Sequence, residues 1–171
     1  MTFAMIKKGH HWPFKYLLIF TLKALILCCN STAKATEITH FYDGDTVKIK
    51  DGAYEYKLRL TDIDAPERNQ AYGLKSRRAL IGFCKNTLVQ VYLSGADSYK
   101  RKLGRLHCNN QDANQWMVEN GHAWFNQRFS MDYTLDLAQQ NAKQEKLGLW
   151  QSESALPPWQ WRKIHPRNML K

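Results

Sequence analysis

The stretch EITHFYDGDTVKIKDGAYEYKLRL, residues 37–60, decides how this chain folds. Thr46-Val47-Lys48-Ile49-Lys50 alternates polar and apolar side chains with a period of two, as a half-buried strand requires. Tyr54–Leu60 repeats that alternation, and the Asp51-Gly52 pair between them is a tight-turn dipeptide. Glu37–Phe41 adds an earlier strand, which runs into the turn Asp43-Gly44-Asp45. Short strands joined by tight turns predict a hairpin-rich antiparallel sheet. Two aspartates around a glycine stand out in so basic a chain, yet on this segment alone an ordinary turn accounts for them.

Working outward, Val89–Leu93 and Arg105–Cys108 read as two further strands, joined through the basic loop SYKRKLG. Helical spacing is found over Leu74–Thr87, through Leu74, the Arg78 stem, Ile81 and Cys84–Lys85 and through Ala79, Leu80 and Phe83, and over Ala113–Asn120, which Gly121 stops. A last helix is expected over Tyr133–Lys146, ending at Gly148 and carrying Leu135, Ala138 and Ala142 on one face. Five short strands and three helices predict an α+β fold, mainly β, built as a five-stranded barrel of the OB type. That scaffold serves nucleic acids and oligosaccharides.

The first 35 residues differ from the rest. Lys7, Lys8 and Lys15 precede the apolar run YLLIFTLKALILCC, and Ala33-Lys34-Ala35 follows it. Basic region, apolar region and A-x-A site in that order predict a signal peptide at 1–35, with the exported chain starting at Thr36. The apolar run is short for a membrane span and Lys23 interrupts it; an uncleaved anchor is the competing reading. Leu27 before Cys28 does not fit a lipoprotein site. Of the 25 basic residues, five lie in this segment, together with none of the 15 acids. The remainder therefore carries 20 basic and 15 acidic residues, a net of +5 that favours an anionic partner. Cys84 and Cys108 are the two cysteines left, an even pair that export would join as a disulfide; two buried thiols are the alternative. The chain divides into 1–35, a domain over 36–151, and a tail over 152–171 that reads as an irregular strap whose tryptophans pack on the body.

A second acidic stretch, RLTDIDAPERNQ, follows the strand that holds Arg59. Pro66 favours an extended backbone at Ala65, which can turn the Ala65 carbonyl outward. Two carboxylates, a carbonyl and water make a hard oxygen site suited to Ca²⁺. The EF-hand pattern is absent, since Val47 stands where its third ligand belongs. Zinc is not indicated: His40, His107, His122 and His165 show no ligand spacing. The run KRKLGRLHC reads as a solvated basic loop for Lys100, Arg101 and Lys102. Phosphodiester cleavage, however, needs fixed positive charge beside a water-activating group, and the fork of Arg105 suits that task.

The order YDGDTV, RLTDIDAPE, GRL, NGHAW and KLGLWQ resembles the staphylococcal nuclease (thermonuclease) family over residues 37–150, and the PPWQWRK tail is similar to the end of its exported bacterial members. The resemblance implies a Ca²⁺ site formed by Asp45, Asp64 and the Ala65 carbonyl, with Asp43 shaping the turn. By the same resemblance Glu67 orients or deprotonates the attacking water, while Arg59 and Arg105 bind the scissile phosphate and stabilise its transition state. The implied reaction is hydrolysis of DNA and RNA at the 5′ P–O bond, leaving 3′-phosphate ends. Ala65 replaces the threonine of the best-known member, and Arg101 and Leu103 stand where the family usually has aspartate and tyrosine. The aspartate-to-arginine change is expected to raise the local positive charge. An exported monomer, with no stable membrane association after cleavage, is the expectation. A catalytically silent OB-fold module that binds nucleic acid is the alternative, and the presence of both acids, Glu67 and both arginines favours the enzyme.

Overall fold

The structure, a computed structural model, describes residues 36–166. The segment 1–35, read as a signal peptide, lies outside the described residues, as does the end of the tail.

Strands β1 (Glu37–Phe41), β2 (Thr46–Asp51) and β3 (Tyr54–Leu60) form the expected antiparallel meander. The turn at Asp51-Gly52 pairs Asp51 with Tyr54, and Gly52 takes a positive φ there. After β4 (Ile63–Asp64), helix α1 (Gly73–Cys84) crosses to β5 (Val89–Ala96), which pairs antiparallel with β6 (Lys102–Cys108). β6 also lies parallel to β3 and pairs with the short β7 (Gln111–Asp112), giving a sheet of order β1-β2-β3-β6-β5 with β7 beside β6. These are the five strands expected, although β5 and β6 extend further toward each other. Lys102, assigned to a loop, begins β6 and is exposed.

The period-two alternation determines the core. Val47 and Ile49 from β2, Leu58 and Leu60 from β3, and Leu106 from β6 are fully or almost fully buried. They meet Leu80 of α1, Met117 and Val118 of α2 (Ala113–Glu119), and Leu135 of α3 (Tyr133–Gln144). Side chains of this size each contribute about 1.5–3 kcal/mol on burial, so the sheet and helices hold each other in place. Asp112 and Asp132 cap α2 and α3: each accepts bonds from two backbone N–H groups of the first turn. Cys84 at the end of α1 and Cys108 at the end of β6 form the expected disulfide, with Cα atoms 5.2 Å apart.

Three features differ from the sequence reading. Helix α1 buries Gly73, Ser76, Leu80 and Cys84, while Leu74 is exposed. The buried face is set by contact with the DGD turn: a Cβ on Gly44 would stand 1.9 Å from the Ser76 hydroxyl oxygen, so only glycine admits the helix there. Secondly, β4 pairs with β8 (Trp124–Phe125), two residues against two, a contact too short to leave a periodic signal. Thirdly, the tail is no irregular strap. From Pro158 it forms helix α4 (Pro158–Ile164), with proline at its first position, where the missing N–H costs nothing. Trp159 packs edge-on to Trp124, whereas Trp161 stacks on His165 within the tail itself. Among the described residues no helix is long and apolar enough to cross a membrane.

Candidate active site

Asp45 closes the DGD turn and enters β2. The Asp43 carboxylate accepts from its backbone N–H at 3.0 Å, so Asp43 shapes the turn. One Asp45 oxygen accepts from the Thr46 hydroxyl, and the other accepts from the Ala65 amide at 2.6 Å. That last bond brings residue 65 beside Asp45 from 20 positions away. Asp64, in β4, is 1% exposed and Asp45 4%.

Arg59 projects from β3 between them. Its Nη2 lies 3.2 Å from Asp45 Oδ2 and 3.0 Å from Asp64 Oδ1, so a single nitrogen bridges both carboxylates. Even so, burial pushes the Asp45 carboxyl up to about 7, with Arg59 opposing and Asp43 assisting. Burial also raises Asp64, against the pull of its arginine partners. Ionising the buried pair therefore costs free energy that its arginine partners do not fully return, a cost that a bound divalent cation would offset. Among the described residues no three His, Cys, Asp or Glu side chains converge as a complete cage. Asp45 and Asp64 supply two hard oxygen donors side by side, and Ala65 is tied to them through its amide, which donates to Asp45.

Glu67 follows Pro66 on a loop fixed by its own backbone. The Glu67 N–H donates to the Gln70 side chain and the Glu67 carbonyl accepts from the Gln70 N–H. Gly73 allows the loop to close, since a Cβ there would meet the Glu67 carbonyl oxygen at 1.9 Å. The Glu67 carboxylate reaches the cluster through Arg162 of α4. Arg162 Nη1 donates to Glu67 Oε1 at 2.9 Å and to Asp64 Oδ1 at 3.2 Å, while Nη2 donates to Asp64 Oδ2 at 2.7 Å. Arg162 was not singled out from the sequence. It lies 95 and 98 positions from these partners, and only the resemblance of the PPWQWRK tail hinted at the segment.

Arg105 stands apart from that cluster. Its Nε donates to Asp62, Nη1 to Asp112, and Nη2 to Asp62 and Asp132. The parallel pairing of Arg59 with Leu103 nevertheless puts Arg105 on the same face of the sheet as Arg59, one strand over. The charge expected from Arg101 is offset inside its own turn, where its Nη2 lies 2.7 Å from Asp97. A broad hollow on the α1–α2 face, lined by Tyr72, Lys75, Phe83, Trp116 and His122, contains none of the candidate residues.

Buried carboxylates, a bridging arginine and a loop glutamate on a five-stranded sheet of this order define a phosphodiester-cleaving hydrolase. Residues 57–152 match the family model described as staphylococcal nuclease homologue. Over 147 residues the chain is 33% identical to an "uncharacterized endonuclease" of Escherichia coli O157:H7, covering 85% of this chain and 94% of the relative. A further "uncharacterized endonuclease", from Haemophilus influenzae, is 34% identical over 154 residues, 90% of this chain and 85% of its own. A protein named micrococcal nuclease from Shigella flexneri is 32% identical over 138 residues, 74% and 79% of the two chains. The chain belongs to the staphylococcal nuclease family, whose domain is an OB-fold, and it is a nuclease acting on nucleic acid.

Proposed function

We propose that this is an exported, Ca²⁺-dependent nuclease that hydrolyses DNA and RNA at the 5′ P–O bond and leaves 3′-phosphate ends. The observation that carries the reading is the buried pair Asp45 and Asp64, drawn together on a single nitrogen of Arg59. Asp45, Asp64 and the Ala65 carbonyl would hold the cation, which supplies positive charge to phosphate oxygens when bound. Glu67 orients the attacking water and takes its proton. Arg59, already fixed at the pair, offers its remaining donors to the scissile phosphate. Arg105 contributes from the neighbouring strand by exchanging one of its carboxylate partners for a phosphate oxygen. Developing charge on the phosphate then meets donors that need little rearrangement. Export accords with the lysine-led apolar segment and with the Cys84–Cys108 disulfide, which oxidising compartments sustain. The purified protein incubated with DNA and with RNA, in Ca²⁺ and in chelator, followed by end-group analysis, tests the reading. Ca²⁺-dependent products with 3′-phosphates are expected; products with 5′-phosphates, or equal cleavage in chelator, overturn it.

A further inference from the structure

Arg162 is placed by contacts that do not involve the acidic cluster. Gln70, whose side chain orders the Glu67 loop, donates its amide to the Leu156 carbonyl at 2.6 Å, just ahead of α4. Pro158 is buried and Trp159 packs on Trp124, the residue paired with Asp64 across β4 and β8. Three anchors therefore aim α4 at the site before any ion pair forms. At its end, the Arg162 fork spans three carboxylate oxygens from two residues. Asp64 Oδ1 then has two donors, Arg59 Nη2 and Arg162 Nη1, and Oδ2 has Arg162 Nη2. The oxygens that a cation would use are those that the guanidinium holds.

We propose that Arg162 is a further residue of the hydrolytic site: a positioning residue that holds Glu67 against Asp64 and shares Asp64 with the cation. It rests on the cation-site reading above. The fork and the charge do separate things. The fork, spanning Asp64 and Glu67, fixes the glutamate's carboxylate at the flank of the cation site. The charge opposes a second cation at the same carboxylate, so α4 and the cation are negatively coupled, and by reciprocity the cation loosens α4.

The test compares the full protein with Arg162→Gln and Arg162→Lys. Ca²⁺ affinity is read by calorimetry in the absence of nucleic acid, and kcat and KM by DNA cleavage at saturating Ca²⁺. Arg162 is 41% exposed on a peripheral helix, and thermal unfolding verifies that the barrel is retained. Arg162→Gln should bind Ca²⁺ more tightly, by about tenfold, the size usual for coupled sites. Its kcat should fall about tenfold or more with KM little changed, because a mispositioned base affects the transition state. Arg162→Lys restores the charge without the fork, so its Ca²⁺ affinity returns toward the parent's while kcat stays low. An Arg162→Gln protein that binds Ca²⁺ no more tightly than the parent, or cleaves at the parent's kcat, overturns the proposal alone. A parent that binds no Ca²⁺ overturns the cation-site reading and this proposal together.

Discussion

Two clusters of charge stand on this domain, and they are built in opposite ways. Around Asp64, three carboxylates (Asp45, Asp64, Glu67) meet two guanidiniums, Arg59 and Arg162. Around Arg105, three carboxylates (Asp62, Asp112, Asp132) share a single guanidinium. By count the second cluster has the larger deficit of positive charge, yet it is in the first that burial pushes Asp45 and Asp64 up. Two differences explain this. The acids around Arg105 have side chains 15–26% exposed, so water screens them, whereas Asp45 and Asp64 stand at 6% and 2%. In addition, Asp112 and Asp132 each give Arg105 one oxygen and spend the other on the N–H groups that begin α2 and α3. Helix N-termini supply the missing positive charge, and hydrogen bonds, first from the Thr134 hydroxyl and then from Arg105, hold Asp132 below the usual carboxylate range. The protein balances the Arg105 cluster by itself. Asp45 and Asp64 keep the cost of their burial, and it is there that the proposed cation would act.

The contrast breaks most readily at Glu67. Glu67→Gln keeps shape and removes the base, so cleavage should fall by about 10²–10⁴-fold; a variant as fast as the parent in Ca²⁺ assigns the base to another residue. Arg105→Ala should slow cleavage by about 10²–10³-fold, the usual cost of one transition-state donor. It should also lower the melting temperature, since three carboxylates lose their only shared cation; unchanged melting would show that helix N-termini alone balance them. Asp45→Asn should abolish cleavage and yet stabilise the cation-free protein, by roughly 2–4 kcal/mol if the carboxyl sits at about 7 in place of its usual value. The sign follows from the raised value. Below pH ~4 both folded and unfolded Asp45 are protonated and nothing is gained. Between there and pH 7 the unfolded chain ionises first, so the native aspartate costs stability increasingly and the Asn variant's advantage grows to a plateau. Chemical denaturation at pH 4 and pH 8 in chelator reads this directly, and an advantage independent of pH would refute it. Reducing Cys84–Cys108, which closes a loop of 24 positions, should cost about 3 kcal/mol. Lys102→Gln marks the floor: exposed at the head of β6, it should change the salt dependence of binding by about one unit of slope and leave kcat alone.

How far these clusters could be read from the sequence depended on range. Strands β1 to β3 were legible because alternation is local and matches burial over Val47–Lys50 and Tyr56–Leu60, although Thr46 is buried and Tyr54 exposed. The motifs around Asp45, Asp64 and Glu67 were legible through the order in which they occur. The face of α1 was misjudged because Ser76, a small polar residue, is buried by the absence of a side chain at Gly44, and hydrophobic spacing cannot register a missing atom. Arg162 was passed over because nothing near Pro158 indicates an acid 95 residues upstream. The partners of Arg105 were missed for the same reason: two of them, Asp112 and Asp132, are helix caps, and a cap with a second partner looks like any other cap in a sequence.

The parallel pairing of β3 with β6 also bears on how fast the molecule folds. The β1-β2-β3 meander and the β5–β6 hairpin each close over short loops and can form within microseconds. Joining them through Leu58–Lys102 and Arg59–Leu103 spans 44 positions of chain, a closure that costs entropy before it returns any contact. That docking is also the step that sets the strand of Arg105 beside the strand of Arg59. On the function proposed above, completing the face that carries Arg59 and Arg105 therefore waits on this closure, and a chain still lacking it would not cut nucleic acid.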